Sequence, residues 1–107
     1  MINQRQAREI VYEEINKPDH YWPDEPEMII LDEHTIEKEY GWVFYWTSRP
    51  WHETGDFQHA IAGNGPIIIS REDGSLYECG TSPPIEDRIR EQEERLKEDL
   101  TKKNALN

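Results

Sequence analysis

Four histidines, one cysteine and 23 carboxylates are the side chains here that could hold a metal, attack a substrate or move protons near neutral pH. His52-Glu53-Thr54-Gly55-Asp56 carries the opening of a zinc-protease signature, but Asp56 stands where the second histidine is required. That signature works on a helix, where ligands four residues apart share a face. Pro50 just before it and Gly55 inside it oppose a helix. His20, His34, His52 and His59 have no cysteine at ligand spacing, so they read as scattered surface imidazoles. Pairing His52 or His59 with Asp56 for acid–base chemistry would need a convergent geometry that no local spacing supplies. Cys79 has acidic rather than cationic neighbours in sequence and reads as a buried, inert thiol. Gly63-Asn64-Gly65-Pro66 enters a strand, whereas a phosphate-cradling loop leaves a strand, enters a helix and supplies a lysine. It reads as a bend. The expectation is a chain that is not an enzyme, with no catalytic residues, no metal and no cofactor.

The elements that must carry these residues follow from periodicity. Ala7, Ile10, Val11 and Ile15 recur at steps of three and four, which predicts a helix over Gln4 to Asn16, capped by Asn3 and ended by Lys17-Pro18. Asp19 to Glu27 reads as a proline-rich acidic loop. Met28 opens a strand expected to run to Glu37, and Trp42 to Thr47 is the clearest strand in the chain. In it Trp42, Phe44 and Trp46 share one face, taken as the core face, with Val43, Tyr45 and Thr47 on the other. Residues 48–65 read as irregular, with one short helical turn around Phe57 to Ala62. Pro66–Ser70 and Leu76–Cys79 form a hairpin across Asp73-Gly74. A last helix is expected with Ser82 as cap and Pro83 at its first position. Glu86 and Asp87 sit in its first turn, and Ile85, Ile89, Leu96 and Leu100 form a narrow stripe. Five pairs four apart (Glu86–Arg90, Glu91–Arg95, Glu93–Lys97, Glu98–Lys102, Asp99–Lys103) would each add about 0.2–0.5 kcal/mol, and the helix should fray from Thr101. The expected fold class is α+β: a four-stranded antiparallel sheet with both helices packed on one face, forming one domain over residues 1–107.

Charge narrows the partners. Twelve bases against 23 acids leave −11, and the pI is near 4.7. That disfavours nucleic acid, whose phosphates need a basic surface, and anionic membranes equally. The longest apolar run, Pro66 to Ile69, falls far short of the roughly 20 residues that cross a bilayer. The opening residues lack a signal-type apolar stretch, and a single cysteine suits a reducing compartment, so the expected location is the cytoplasm. From Glu9 to Glu39 there are eleven acids and two bases, −9 of the total. This concentration is either a solvated face or a docking surface for a basic partner; self-repulsion on that scale asks for some return.

Gly41-Trp42-Val43-Phe44, Glu53-Thr54-Gly55-Asp56, Ala62-Gly63-Asn64-Gly65-Pro66-Ile67-Ile68-Ile69, Asp73-Gly74, Gly80-Thr81 and Pro84-Ile85-Glu86 occur in an order and spacing that resemble the immunity protein 35 family. The resemblance covers residues 41–94 directly, and residues 18–27 form an acidic insert outside it. It implies an α+β fold and a non-catalytic protein that binds and neutralises a toxin made by the same bacterium, in systems of bacterial competition. One branch of the family, the YrhB type, is associated with chaperone activity, which supplies the alternative of a holdase for unfolded clients. For a toxin-binding surface the best desolvated anchors are Trp22, beside Asp24 and Glu25, and Trp51, beside Glu53 and Asp56. Trp51 equally reads as a core plug under a long loop. Edge-strand pairing offers a route to a homodimer.

Overall fold

The computed structural model describes residues 1–17, 27–49 and 65–105. Its elements are helix α1 (Gln4–Ile15), strand β1 (Met28–Ile30), a short 3-10 turn (Asp32–His34), strands β2 (Ile36–Lys38), β3 (Gly41–Phe44), β4 (Trp46–Ser48), β5 (Ile67–Ser70) and β6 (Leu76–Glu78), and helix α2 (Ile85–Ala105).

Helix α1 starts as the sequence predicts. The Asn3 side chain accepts from the Gln6 N–H, and the Gln6 side chain accepts from the Asn3 N–H, closing a capping box. Helix α2 begins later than expected. The Pro84 carbonyl accepts from the N–H groups of Asp87 and Arg88, so the cap position falls on Pro84 and not on Ser82. The helix also continues to Ala105 rather than fraying from Thr101. Its surface cations pair at three-residue spacing, Arg88 with Glu91 and Arg90 with Asp87, in place of the expected four-residue pairs.

Two expectations about the sheet are corrected. The chain from Met28 to Glu37 is not one strand: the turn at Asp32–His34 breaks it, with the Thr35 N–H returning to the Asp32 carbonyl. Nor is Trp42 to Thr47 one strand. Residues 41–44 pair with β2 and β5, then the ladder stops at Tyr45, and residues 46–48 pair with β1. The result is two antiparallel sheets, a four-stranded one ordered β2-β3-β5-β6 and a two-stranded ribbon of β1 and β4, in place of a single four-stranded sheet. The break has a physical cause. Once the 3-10 turn shifts β1 away from β2, the segment after Phe44 can satisfy its backbone groups only against β1.

The helices do not share a face. Trp42, Phe44, Ile67 and Ile69 pack with Ala7 and Val11 of α1, whereas Val43 and Ile68, alternating with them along the same strands, pack with Cys79 and with Leu96 of α2. Opposite faces of the sheet are therefore both covered. The side grouping of Trp42, Phe44 and Trp46 holds, but a single core face does not: Val43 and Ile68 are as fully buried as their neighbours. Close approach is bought by glycine. Gly41 has φ +154°, and a Cβ there would lie 1.9 Å from the Ile69 carbonyl oxygen.

Candidate functional site

The six residues singled out as partner contacts, Trp22, Asp24, Glu25, Trp51, Glu53 and Asp56, lie outside the described residues, as do His20, His52 and His59. What the structure does place is the pair of roots from which their segments leave.

Those roots meet. Residue 27 precedes β1 and residue 49 follows β4, and the antiparallel register sets Met28 opposite Ser48. One step further out, the Arg49 N–H donates to the Glu27 carbonyl at 2.9 Å, and the Arg49 guanidinium reaches Glu27 Oε1 at 2.6 Å. The Tyr12 hydroxyl donates to the other carboxylate oxygen of Glu27. Tyr12 and Arg49 together hold the Glu27 carboxyl below the usual range, while the neighbouring carboxylate pushes the Tyr12 phenol up. On the far side, Asn16 closes the same root with two hydrogen bonds: its Oδ1 accepts from the Met28 N–H at 2.8 Å and its Nδ2 donates to the Met28 carbonyl at 2.9 Å. The root at residue 65 joins the group through Trp46, whose indole N–H donates to the Gly65 carbonyl at 2.8 Å. Lys17, Met28, Trp46 and Ile67 line one hollow of about 230 Å³. Residues 27 and 49 thus meet at the Met28–Ser48 end of the β1–β4 ribbon, while Gly65 is held by Trp46, which pairs with Ile30 at the other end, and Lys17 borders the hollow that Met28 and Trp46 share.

The acidic concentration looks different in three dimensions. Of the eight described acids between Glu9 and Glu39, five are ion-paired: Glu9 with Arg5, Glu14 with Lys17, Glu27 with Arg49, Asp32 with Arg8 and Glu37 with Arg71. The Arg8–Asp32 pair is bidentate, at 2.8 and 3.0 Å, and ties α1 to the 3-10 turn. Four of these five cations lie outside residues 9–39, so a count along the chain overstates the field that a partner meets. Glu13, Glu33 and Glu39 carry charge with no ion-pair partner among the described residues.

Sequence reasoning gave Tyr12 and Arg49 no role, and it named Asn16 and Glu27 only as the ends of a helix and a loop and, for Glu27, as one acid among eleven. The partners are 12 to 22 residues apart, and nothing in local periodicity marks them. A short polar side chain closing a helix just before a proline, as Asn16 does, was the one available signal.

The titratable groups of the core are poor candidates for chemistry. Burial, with the Glu93 charge behind it, pushes the Cys79 thiol up to about 12, so it stays protonated at neutral pH. Burial and a bond to Glu93 push Tyr40 up, and burial and a bond to Asp99 push Tyr77 up to about 12. These phenols serve as donors that fasten β-strand turns and edges to α2. Among the described residues no helix is long and apolar enough to cross a membrane.

Comparison with known proteins adds three findings. The model of a protein family described as immunity protein 35 matches residues 5–92, which takes in α1 and the sheet as well as the stretch where the motifs lie. The chain is 32% identical over 77 residues to a protein of Escherichia coli (strain K12) described as uncharacterized protein YrhB, covering 72% of this chain and 81% of that one. No solved structure matches.

Proposed function

The chain belongs to the immunity protein 35 family, and from that membership we propose that it is a non-catalytic immunity protein of the cytoplasm. It binds a cognate bacterial toxin and neutralises it by covering part of the toxin's surface. The observation that supports the reading is the joining of roots just described: residues 27 and 49, which bound the segments bearing both tryptophan–carboxylate groups, pair with each other, and Gly65 is bonded to Trp46, which shares a hollow with Lys17 and Met28. A standard interface needs about 800 Å² from each partner, which one face of a chain this size can supply. In this reading Trp22 and Trp51 are the desolvated anchors, and Asp24, Glu25, Glu53 and Asp56 steer a basic toxin surface and select for it.

The test is co-expression and co-purification with the products of the genes flanking its own, to capture the toxin, followed by alanine scanning. Trp22→Ala or Trp51→Ala should weaken the complex at least about thirtyfold, by the usual loss of 2 kcal/mol or more at an anchor. The paired change Asp24→Ala/Glu25→Ala should slow association and flatten its salt dependence. Wild-type affinity and kinetics in all of these variants would remove both segments from the interface. The holdase alternative asks for broad apolar surface. Among the described residues the only large hydrophobics exposed are Met1 and Ile36, which weighs toward a specific folded partner.

A further inference from the structure

The four-stranded sheet has an open edge at β6, and its backbone polarity follows from the register. The Ser70 N–H donates to the Ser75 carbonyl and the Cys79 N–H to the Pro66 carbonyl, with Ile68 opposite Tyr77 between them. Antiparallel alternation then turns the N–H and C=O of Tyr77 inward to β5, and those of Leu76 and Glu78 outward. Among the described residues, nothing pairs with these outward groups of Leu76 and Glu78. The edge runs along the floor of an open groove of about 570 Å³, lined by Glu14 from α1, by Leu76, Tyr77 and Glu78, and by Gln92 and Arg95 from α2. Past Glu78 the groove meets the hollow at Met28 and Trp46, because Glu14 and Glu78 line both.

The two walls differ in charge. Leu76 and Glu78 stand on the α1 face, opposite Ile69 and Ile67, and share that side with Glu14; Tyr77 stands on the α2 face, with Gln92 and Arg95. Lys17 holds Glu14 at 2.7 Å and also feels the Glu78 carboxylate, so two carboxylates share one ammonium and leave that side one negative charge in excess, while the Arg95 guanidinium on the other side has no ion-pair partner among the described residues.

We propose that β6 is a strand-addition site: an extended segment of the protein partner pairs with the outward backbone groups of Leu76 and Glu78. It presents a basic side chain toward Glu78 and, at an adjacent position, an acidic or amide side chain toward Arg95. An added strand alternates its side chains between the two faces, so neighbouring residues of opposite sign match the two walls. Main-chain pairing supplies affinity and the two walls supply direction. A second copy of this chain fits less well, since it brings a like charge of −11 to the edge. The inference rests on the reading of this chain as a partner-binding immunity protein, and it adds a second contact that adjoins the hollow at Met28 and Trp46 through Glu78.

The experiment is amide hydrogen exchange by NMR on the full chain, free and in complex with the toxin that co-purifies with it. In the free protein, Tyr77 and Cys79 should exchange slowly, and Leu76 and Glu78 fast. In the complex, Leu76 and Glu78 should slow at least about tenfold. Glu78→Lys and Arg95→Glu, both surface changes, should each weaken binding by about five- to tenfold. A complex that forms while Leu76 and Glu78 remain fast overturns strand addition alone, as does wild-type affinity in both charge variants. Slow exchange at these amides in the concentrated free protein would mean that a second copy occupies the edge, and it also overturns the proposal. Absence of any complex overturns the immunity reading itself.

Discussion

Ile68 and Ile69 are consecutive, chemically identical and both fully buried, yet they belong to different layers: Ile68 packs toward Leu96 of α2, and Ile69 toward Ala7 and Val11 of α1. Truncating either to alanine removes three carbons, worth about 2.4 kcal/mol at roughly 0.8 kcal/mol each, before any cavity cost. With the cavity included, each variant should lose about 2–5 kcal/mol. The gentler changes Ile68→Val and Ile69→Val should each lose about 1 kcal/mol and lower the midpoint of thermal unfolding by roughly 4–8 °C. Because the two side chains touch different helices, the Val/Val double variant should lose about the sum, to within about 0.5 kcal/mol. Urea unfolding followed by tryptophan fluorescence and by far-ultraviolet dichroism reads these differences directly, and an unchanged m-value keeps the comparison valid. A sheet covered on one face only would leave one of the two isoleucines near water. A cost below about 0.5 kcal/mol for either alanine variant would therefore refute the two-faced arrangement, and with it the groove between α1 and α2.

Three further outcomes follow from individual contacts. The Glu27 carboxyl, held low first by the Tyr12 hydroxyl and then by Arg49, should titrate below an ordinary glutamate in carbon-13 NMR, and Tyr12→Phe should move it back up. A depressed carboxylate lends stability above its unfolded pKa and loses it as pH falls through the folded one, so the advantage of wild type over Tyr12→Phe should disappear on acidification. Gly41→Ala forces a Cβ into the Ile69 carbonyl at a φ that L-residues avoid; it should cost on the order of 2–3 kcal/mol in chemical denaturation. The Cys79 thiol, buried and pushed up to about 12, should resist iodoacetamide at pH 8 in the native protein and react quickly once urea unfolds it; fast native labelling would contradict its placement beneath α2.

Much of this protein was legible along the chain because the relevant physics is local. The Asn3 cap and the Ala7–Val11 stripe define α1, the Asp73-Gly74 turn joins β5 to β6, and the acids at Glu86 and Asp87 mark the first turn of α2; each depends on residues within four positions of one another. The alternation of Trp42, Phe44 and Trp46 against Val43 was likewise correct as a grouping. The family, too, could be recognised from ordered short motifs.

Tertiary structure alone decided which helix meets which face, where the long extended runs break, and which charges survive. Alternation says that two faces exist, but not that both will be covered. That depends on α2 returning across the sheet to bury Val43 and Ile68. The break at Tyr45 depends on β1 being available as a partner, and the pairing of Arg8, Arg49 and Arg71 with Asp32, Glu27 and Glu37 spans 22 to 34 residues. Chain connectivity carries no record of such neighbours. They are set by the free energy of the assembled whole, in which a strand goes wherever its backbone groups find partners and a carboxylate settles beside whichever cation the packed sheet brings near.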